Sequence, residues 1–153
     1  MNETVKCITL WQPWASLIVM GRKKIETRGW ECSYRGRLLI HAAKRMDTAL
    51  AFCHKPPFNK YVSLANLPYG AIVGEVQLVG MHSISSLRDR IPAIKSHHIV
   101  GDQLILTDSE EYAFGDYSLG RYGWILENPI RYANPIPYKG QQGMFNVPDY
   151  LLP

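Results

Sequence analysis

Trp11–Arg28, WQPWASLIVMGRKKIETR, decides the fold. Pro13 stands where a first helical turn begins, Trp14, Leu17 and Ile18 follow at helical spacing, and Gly21 stops the run. The stretch therefore predicts a short helix handing the chain through a turn into a strand. Upstream, residues 5–10 form a β-prone run. Downstream, residues 24–30 and 37–42 alternate apolar and polar side chains, with Ser33, Tyr34, Arg35 and Gly36 between them, and are predicted to pair. Asp47 is placed to cap a helix through Leu50, Phe52 and Cys53 that Pro56 and Pro57 end, followed by a long loop to about Tyr69. Residues 70–80, GAIVGEVQLVG, read as the central strand, their two internal glycines marking a bend or bulge. Residues 82–117 are mixed and polar, with an acidic run at 108–111. Two strand-like runs, 122–128 and 130–137, and the closing GQQGMFNV at 140–147 complete an α+β order. It is mainly β: a small, mostly antiparallel barrel with short helices at its ends.

At 153 residues the chain matches one domain, 1–153. No segment approaches the roughly 20 apolar residues of a membrane helix. The opening MNETVKCITL does not read as a secretory signal, so a cytoplasmic location is expected. Cys7, Cys32 and Cys53 are odd in number, far apart and without CxxC spacing, which argues against a disulfide framework or a zinc site. His97 and His98 are adjacent and lack a third ligand at helical spacing. No metal and no cofactor are expected.

Charge is uneven. Of 17 Lys and Arg residues, eight lie between positions 22 and 45 against Glu26 and Glu31, a net of +6 in a chain of +4 overall. A basic window of this kind suits an anionic partner, nucleic acid first. Arg28, Arg37, Lys44 and Arg45, with Lys23, are candidates to meet phosphates. Trp11 and Gln12, at a helix entry, are candidates to line a cleft, Trp11 by stacking on a base. His41, on one strand face with Leu39 and Arg37, is a candidate to reach the same cleft. Trp14, Trp30 and Trp124 read as core. Glu75 shares a predicted strand face with Ala71, Val73 and Val79, so it reads as a partly buried carboxylate needing a partner, with Lys24 or Arg28 expected in that role.

The LWQPWASLI helix entry, the GRKKIETR turn and strand, YRGRLLIHAA, GEV at 74–76, RYGWILEN and KGQQGMFN occur in an order that resembles the ASCH domain family, of the PUA-like superfamily. The resemblance covers nearly the whole chain and implies a PUA-like barrel associated with RNA. It also implies an alternative activity, since one bacterial branch hydrolyses N4-acetylcytidine with Lys, Thr and Glu. Lys24 and Thr27 stand in that branch's K-x-x-T pattern, and Glu75 where its glutamate is expected. Amide hydrolysis needs an activated nucleophile, a proton carrier and oxyanion donors, and these residue types supply them if Lys24 leaves strand geometry to meet Thr27.

Three classes of function follow. The first is a binding module for RNA, single-stranded nucleic acid or a modified nucleoside in a basic cleft. The second is an amidohydrolase acting through Lys24, Thr27 and Glu75, or less readily a ribonuclease. The third is a protein-interaction module using loops 55–69 and 82–117.

Overall fold

The computed structural model describes residues 3–84, 98–100, 103–105 and 110–153. Strand β1 is Thr4–Leu10 and helix α1 is Trp14–Val19. Strands β2 (Ile25–Arg28) and β3 (Gly36–Ala42) follow, then helix α2 (Asp47–Phe52) and two single 3-10 turns at Phe58–Lys60 and Leu64–Asn66. Strand β4 is Ala71–Ser83; β5 (His98–Val100) and β6 (Gln103–Ile105) form a small separate hairpin. Helix α3 (Glu110–Ala113), strand β7 (Tyr122–Pro137), strand β8 (Met144–Pro148) and a last 3-10 turn at Asp149–Leu151 complete the chain. Within the 82–117 segment, residues 85–97, 101–102 and 106–109, including His97, lie outside the described residues.

Six strands form one sheet in the order β2-β7-β4-β3-β1-β8. Every pairing is antiparallel except β1 with β3. The mostly antiparallel α+β architecture is the predicted one, but the sheet does not close into a barrel: β2 and β8 stand at opposite edges. Nor do β2 and β3 form the expected hairpin. After β2, Trp30 packs edge-on against Trp124 of β7, with ring centroids 4.9 Å apart, and its carbonyl accepts from the Trp124 indole. That contact carries the chain past the hairpin geometry, so β3 lands beside β1. A parallel pair of this kind needs a crossover, which α1, the turn and β2 provide.

Helix α1 is buried along Ala15–Val19 because it lies between two apolar clusters. Ala15, Ile18 and Val19 face the sheet with Ile8, Leu38, Val76 and Trp124, while Leu17 faces Ala49, Cys53, Phe58 and Phe114. A third cluster, Cys7, Leu39, Ile72, Tyr132, Phe145 and Val147, gathers apart from these. Burial of each Leu or Ile contributes about 1.5–3 kcal/mol, so the sheet is stabilised by more than one cluster. Gly21, at φ +78°, ends α1, and both Arg22 and Lys23 donate their N–H to the Leu17 carbonyl.

β4 is central, as read from sequence, and its register shifts at three places, between Ile72 and Gly74, Glu75 and Gln77, and Leu78 and Gly80. At Gly74 a Cβ would stand 2.2 Å from the Ile130 carbonyl oxygen and 2.7 Å from Val19, so no larger residue fits where β4, β7 and α1 meet. The two runs read as separate strands at 122–128 and 130–137 are one strand, β7, jointed at Asn128 with φ +51°. β2 covers only the Tyr122–Ile125 part of its outer edge. The rest carries Pro129, Pro135 and Pro137. Among the described residues no helix is long and apolar enough to cross a membrane.

Candidate functional site

A cleft of about 880 Å³ opens where the sheet fails to close. Its lining comes from the end of β1 (Thr9, Leu10), the helix entry (Trp11, Trp14), β2 and its exit (Glu26 to Trp30), Phe52 and Phe58, the end of α3 and the residues that follow it (113–116), Arg121, and Gln141 to Gly143 before β8. β8 pairs with β1 only as far as Ile8 opposite Met144, so the Thr9 carbonyl is left beyond the ladder. Arg28 supplies the missing donor: its Nη2 reaches that carbonyl at 2.9 Å and joins β2 to β1 through a side chain.

Strand alternation gives β2 its two faces. Ile25 and Thr27 are buried, and Glu26 and Arg28 are half-buried on the other face, lining the cleft. Arg28 Nε stands 3.5 Å from Glu26 Oε2, and its guanidinium lies 5.8 Å from the centre of the Trp30 ring. Glu26 Oε1 accepts from the Thr27 N–H at 3.2 Å and stands 3.9 Å from Lys23 Nζ. Aromatic rings form a second part of the lining. Trp14 meets Phe52 and Phe58 edge-on at 5.0 and 6.0 Å, and Phe58 meets Phe114 at 5.1 Å. Trp11 is 48% exposed, and the guanidinium of Arg45 covers its ring at 4.2 Å.

The segment after α3 is tied to β2. Thr27 Oγ1 accepts from the Asp116 N–H at 3.1 Å, and Arg121 Nη2 donates to the Thr27 carbonyl at 2.8 Å. The hydroxyl and N–H of Ser118 hold the Asp116 carboxyl below its usual range. Glu111 on α3 is buried; one carboxylate oxygen accepts the Lys24 N–H at 2.5 Å, while the other has no hydrogen-bond partner among the described residues. Burial raises the Glu111 pKa, opposed by the nearby Lys23 ammonium.

The three residues expected to act together are placed apart. Thr27 reaches the cleft, and Lys24 does belong to the turn, before β2 begins. Its side chain, however, lines a separate recess with Leu126, Glu127 and Pro129. Glu75 is held elsewhere: Arg37 donates to its Oε2 through Nε at 2.7 Å with Nη2 2.6 Å from the same oxygen, and Tyr132 donates to it through its hydroxyl at 2.7 Å. Its partner is therefore Arg37, in place of Lys24 or Arg28. The register shift before Glu75, between Ile72 and Gly74, turns the carboxylate toward Leu39 and Tyr132, a change of face that simple alternation along the strand misses.

Of the expected ligand-binding residues, Trp11 and Arg28 line the cleft. Gln12 does not; it is fully buried, its amide spanning Ser16 and the Pro68 carbonyl, and it caps α1. Lys23 is buried with Nζ on the Ile25 carbonyl. His41 is buried between the Tyr138 carbonyl at 2.6 Å and Thr9 Oγ1 at 3.2 Å, and burial lowers its pKa. Arg37 is committed to Glu75. Lys44 lays its stem over Gly70, and Arg45 makes a two-pronged pair with Asp47 beside Trp11. The basic window in sequence is thus no single patch in space, and among the described residues the charged side chains of the cleft, Glu26, Arg28, Asp116 and Arg121, balance.

Sequence reading missed Glu26, the aromatic wall, and Gln141 and Gln142. The i, i+2 spacing of Glu26 and Arg28 was a usable signal for a shared strand face. The exposed Gln pair between Gly140 and Gly143 was another. Loop 55–69 is packed through Phe58, Val62 and Leu67. Among the described residues, no three His, Cys, Asp or Glu side chains gather as a metal site.

The ASCH domain profile matches residues 8–136. Human activating signal cointegrator 1 is 33% identical over 94 residues, which is 58% of this chain and 16% of that protein, and the mouse protein of the same name matches equally. The chain therefore spans a small part of the length of these relatives. Among solved structures, the ASCH protein of Zymomonas mobilis aligns over 95% of this chain and 89% of its own, with a TM-score of 0.52 at 15% identity. A single-residue variant of that protein aligns with a TM-score of 0.53 at 16% identity, over 95% and 89% of the two chains. At such identity the likeness concerns the fold.

Proposed function

The chain belongs to the ASCH domain family, a family associated with nucleic acid, and from that premise we propose that it binds single-stranded RNA or a nucleoside by taking one base into the cleft. The observation that carries this reading is the lining: Trp11, Trp14, Trp30, Phe52, Phe58 and Phe114 around the Glu26–Arg28 pair. An apolar ring of this kind matches the flat face of an unstacked base, and the charged pair offers an acceptor and donors to its edge. Balanced charge in the cleft makes the base, rather than the phosphate chain, the main determinant. Arg45, beside the exposed Trp11, is placed to meet a flanking phosphate.

The second reading, deacetylation of N4-acetylcytidine through Lys24, Thr27 and Glu75, is weaker because only Thr27 reaches the cleft.

Titration with mixed-sequence single-stranded RNA, followed by tryptophan fluorescence, tests the proposal. Saturable quenching is expected, with a shallow salt dependence and about tenfold weaker binding in Arg28→Ala. Folded protein that shows no saturable binding at low salt overturns it.

A further inference from the structure

We propose that the base this cleft selects is guanine, and that Glu26 is the residue that selects it. The inference rests on the base-binding reading above and adds the identity of the base.

Glu26 and Arg28 project from one face of β2 into the cleft with 3.5 Å between carboxylate and guanidinium. The carboxylate is acceptor-only, and its two oxygens lie in one plane. One accepts the Thr27 N–H, which uses one lone pair and fixes the group's orientation. Arg28 spends one hydrogen bond on the Thr9 carbonyl, so further N–H donors of its guanidinium are left for a ligand. The site therefore presents two adjacent acceptors next to a donor.

Among the four common bases, guanine alone has the complementary edge. Its N1–H and N2–H are neighbouring donors that meet both carboxylate oxygens, and O6, next in line, accepts from the guanidinium. Adenine and cytosine offer an amino group beside a ring nitrogen lone pair, so the second carboxylate oxygen meets an acceptor. Uracil sets a single N–H between two carbonyls, with the same conflict. A site built to hydrogen-bond one edge rejects bases that leave its charged groups unpaired or opposed.

The test uses the full chain and short oligouridine RNAs carrying one central guanine, inosine, adenine or cytosine, with a mixed-sequence RNA in the same titration. Guanine is expected to bind about tenfold more tightly than adenine, cytosine or unsubstituted oligouridine, with inosine between because it lacks the N2 amino group. Glu26→Gln, which keeps the side-chain volume and one acceptor, is expected to bind the guanine RNA no more tightly than the adenine or cytosine RNA; thermal unfolding checks that it folds. If the mixed RNA does not bind, base binding itself fails. If it binds and guanine is not preferred, or if Glu26→Gln keeps the preference, base binding stands and the guanine assignment is overturned.

Discussion

Of the carboxylate–arginine pairs among the described residues, Glu75–Arg37 and Glu26–Arg28 differ in how fully they are satisfied. Arg37 Nε donates to Glu75 Oε2, its Nη2 stands 2.6 Å from that oxygen, and the Tyr132 hydroxyl donates a second hydrogen bond to it. Glu26 and Arg28 approach only to 3.5 Å, and both line an open cleft. A pair whose bonds close on themselves holds strands together. A pair left with unused acceptors and donors in a concave, aromatic-lined space is equipped to hold something else. Presence of a buried carboxylate therefore says little about function; its remaining capacity for hydrogen bonds says more.

Replacing Glu75 strikes the closed pair. Glu75→Ala leaves the buried Tyr132 hydroxyl and Arg37 without their acceptor, and the expected destabilisation is about 2 kcal/mol, a fall in Tm of roughly 6 °C. Arg37 is 38% exposed and partly compensated by water, which keeps the figure from being larger. RNA affinity should be unchanged. Loss of binding in a folded Glu75→Ala protein, read by the same fluorescence titration, breaks the contrast.

The open pair gives the reverse pattern. Trp11→Ala should weaken RNA binding by about 1–3 kcal/mol, the range measured for base stacking, while thermal stability moves little because the ring is half exposed. A calorimetric scan beside the titration separates the two effects.

Glu111 sharpens the comparison by sitting between the extremes, buried with one oxygen bonded and the other not. Burial raises its pKa. As pH rises, the unfolded chain gives up this proton before the folded one does. Stability is therefore lost from the ordinary carboxylate value upward, until the raised folded value is passed. Denaturant midpoints across that window should decline less in Glu111→Gln than in the unaltered protein.

His41 is the satisfied counterpart, with both ring nitrogens engaged. Its pKa is lowered by burial, so the unfolded chain takes up a proton first as pH falls below about 6.5. Stability lost from there downward to the folded value should flatten in His41→Gln, as the smallest effect of the four.

Local signals in the sequence carried much of the fold. Pro13, the apolar spacing after it and Gly21 marked α1; alternation marked β2 and β3; β-branched residues between glycines marked β4 as central. What stayed hidden depends on distant partners. The packing of Trp30 against Trp124, residues almost a hundred positions apart, redirects β3 from β2 to β1, and no local pattern encodes it. The joint at Asn128 lets one strand look like two, because proline and a left-handed residue resemble a turn. The candidate site suffered more. Lys24, Thr27 and Glu75 matched a family pattern by type and spacing, yet the register shift beside Glu75 sends it toward Arg37. Six rings from five parts of the chain converge on the cleft, and such convergence exists only after folding.

Among the described residues no strand covers the outer edge of β7 beyond Ile125, which has a consequence for the protein at high concentration. An open strand edge offers N–H and C=O groups to any passing chain, and a continuous ladder there is a template for fibrous assembly. Pro129, Pro135 and Pro137 remove donors along the stretch that β2 leaves bare, and Asn128 bends it at the start. A second strand laid against this edge would meet gaps in its hydrogen bonding, so the sheet stays open at the cleft while this stretch of β7 resists aggregation.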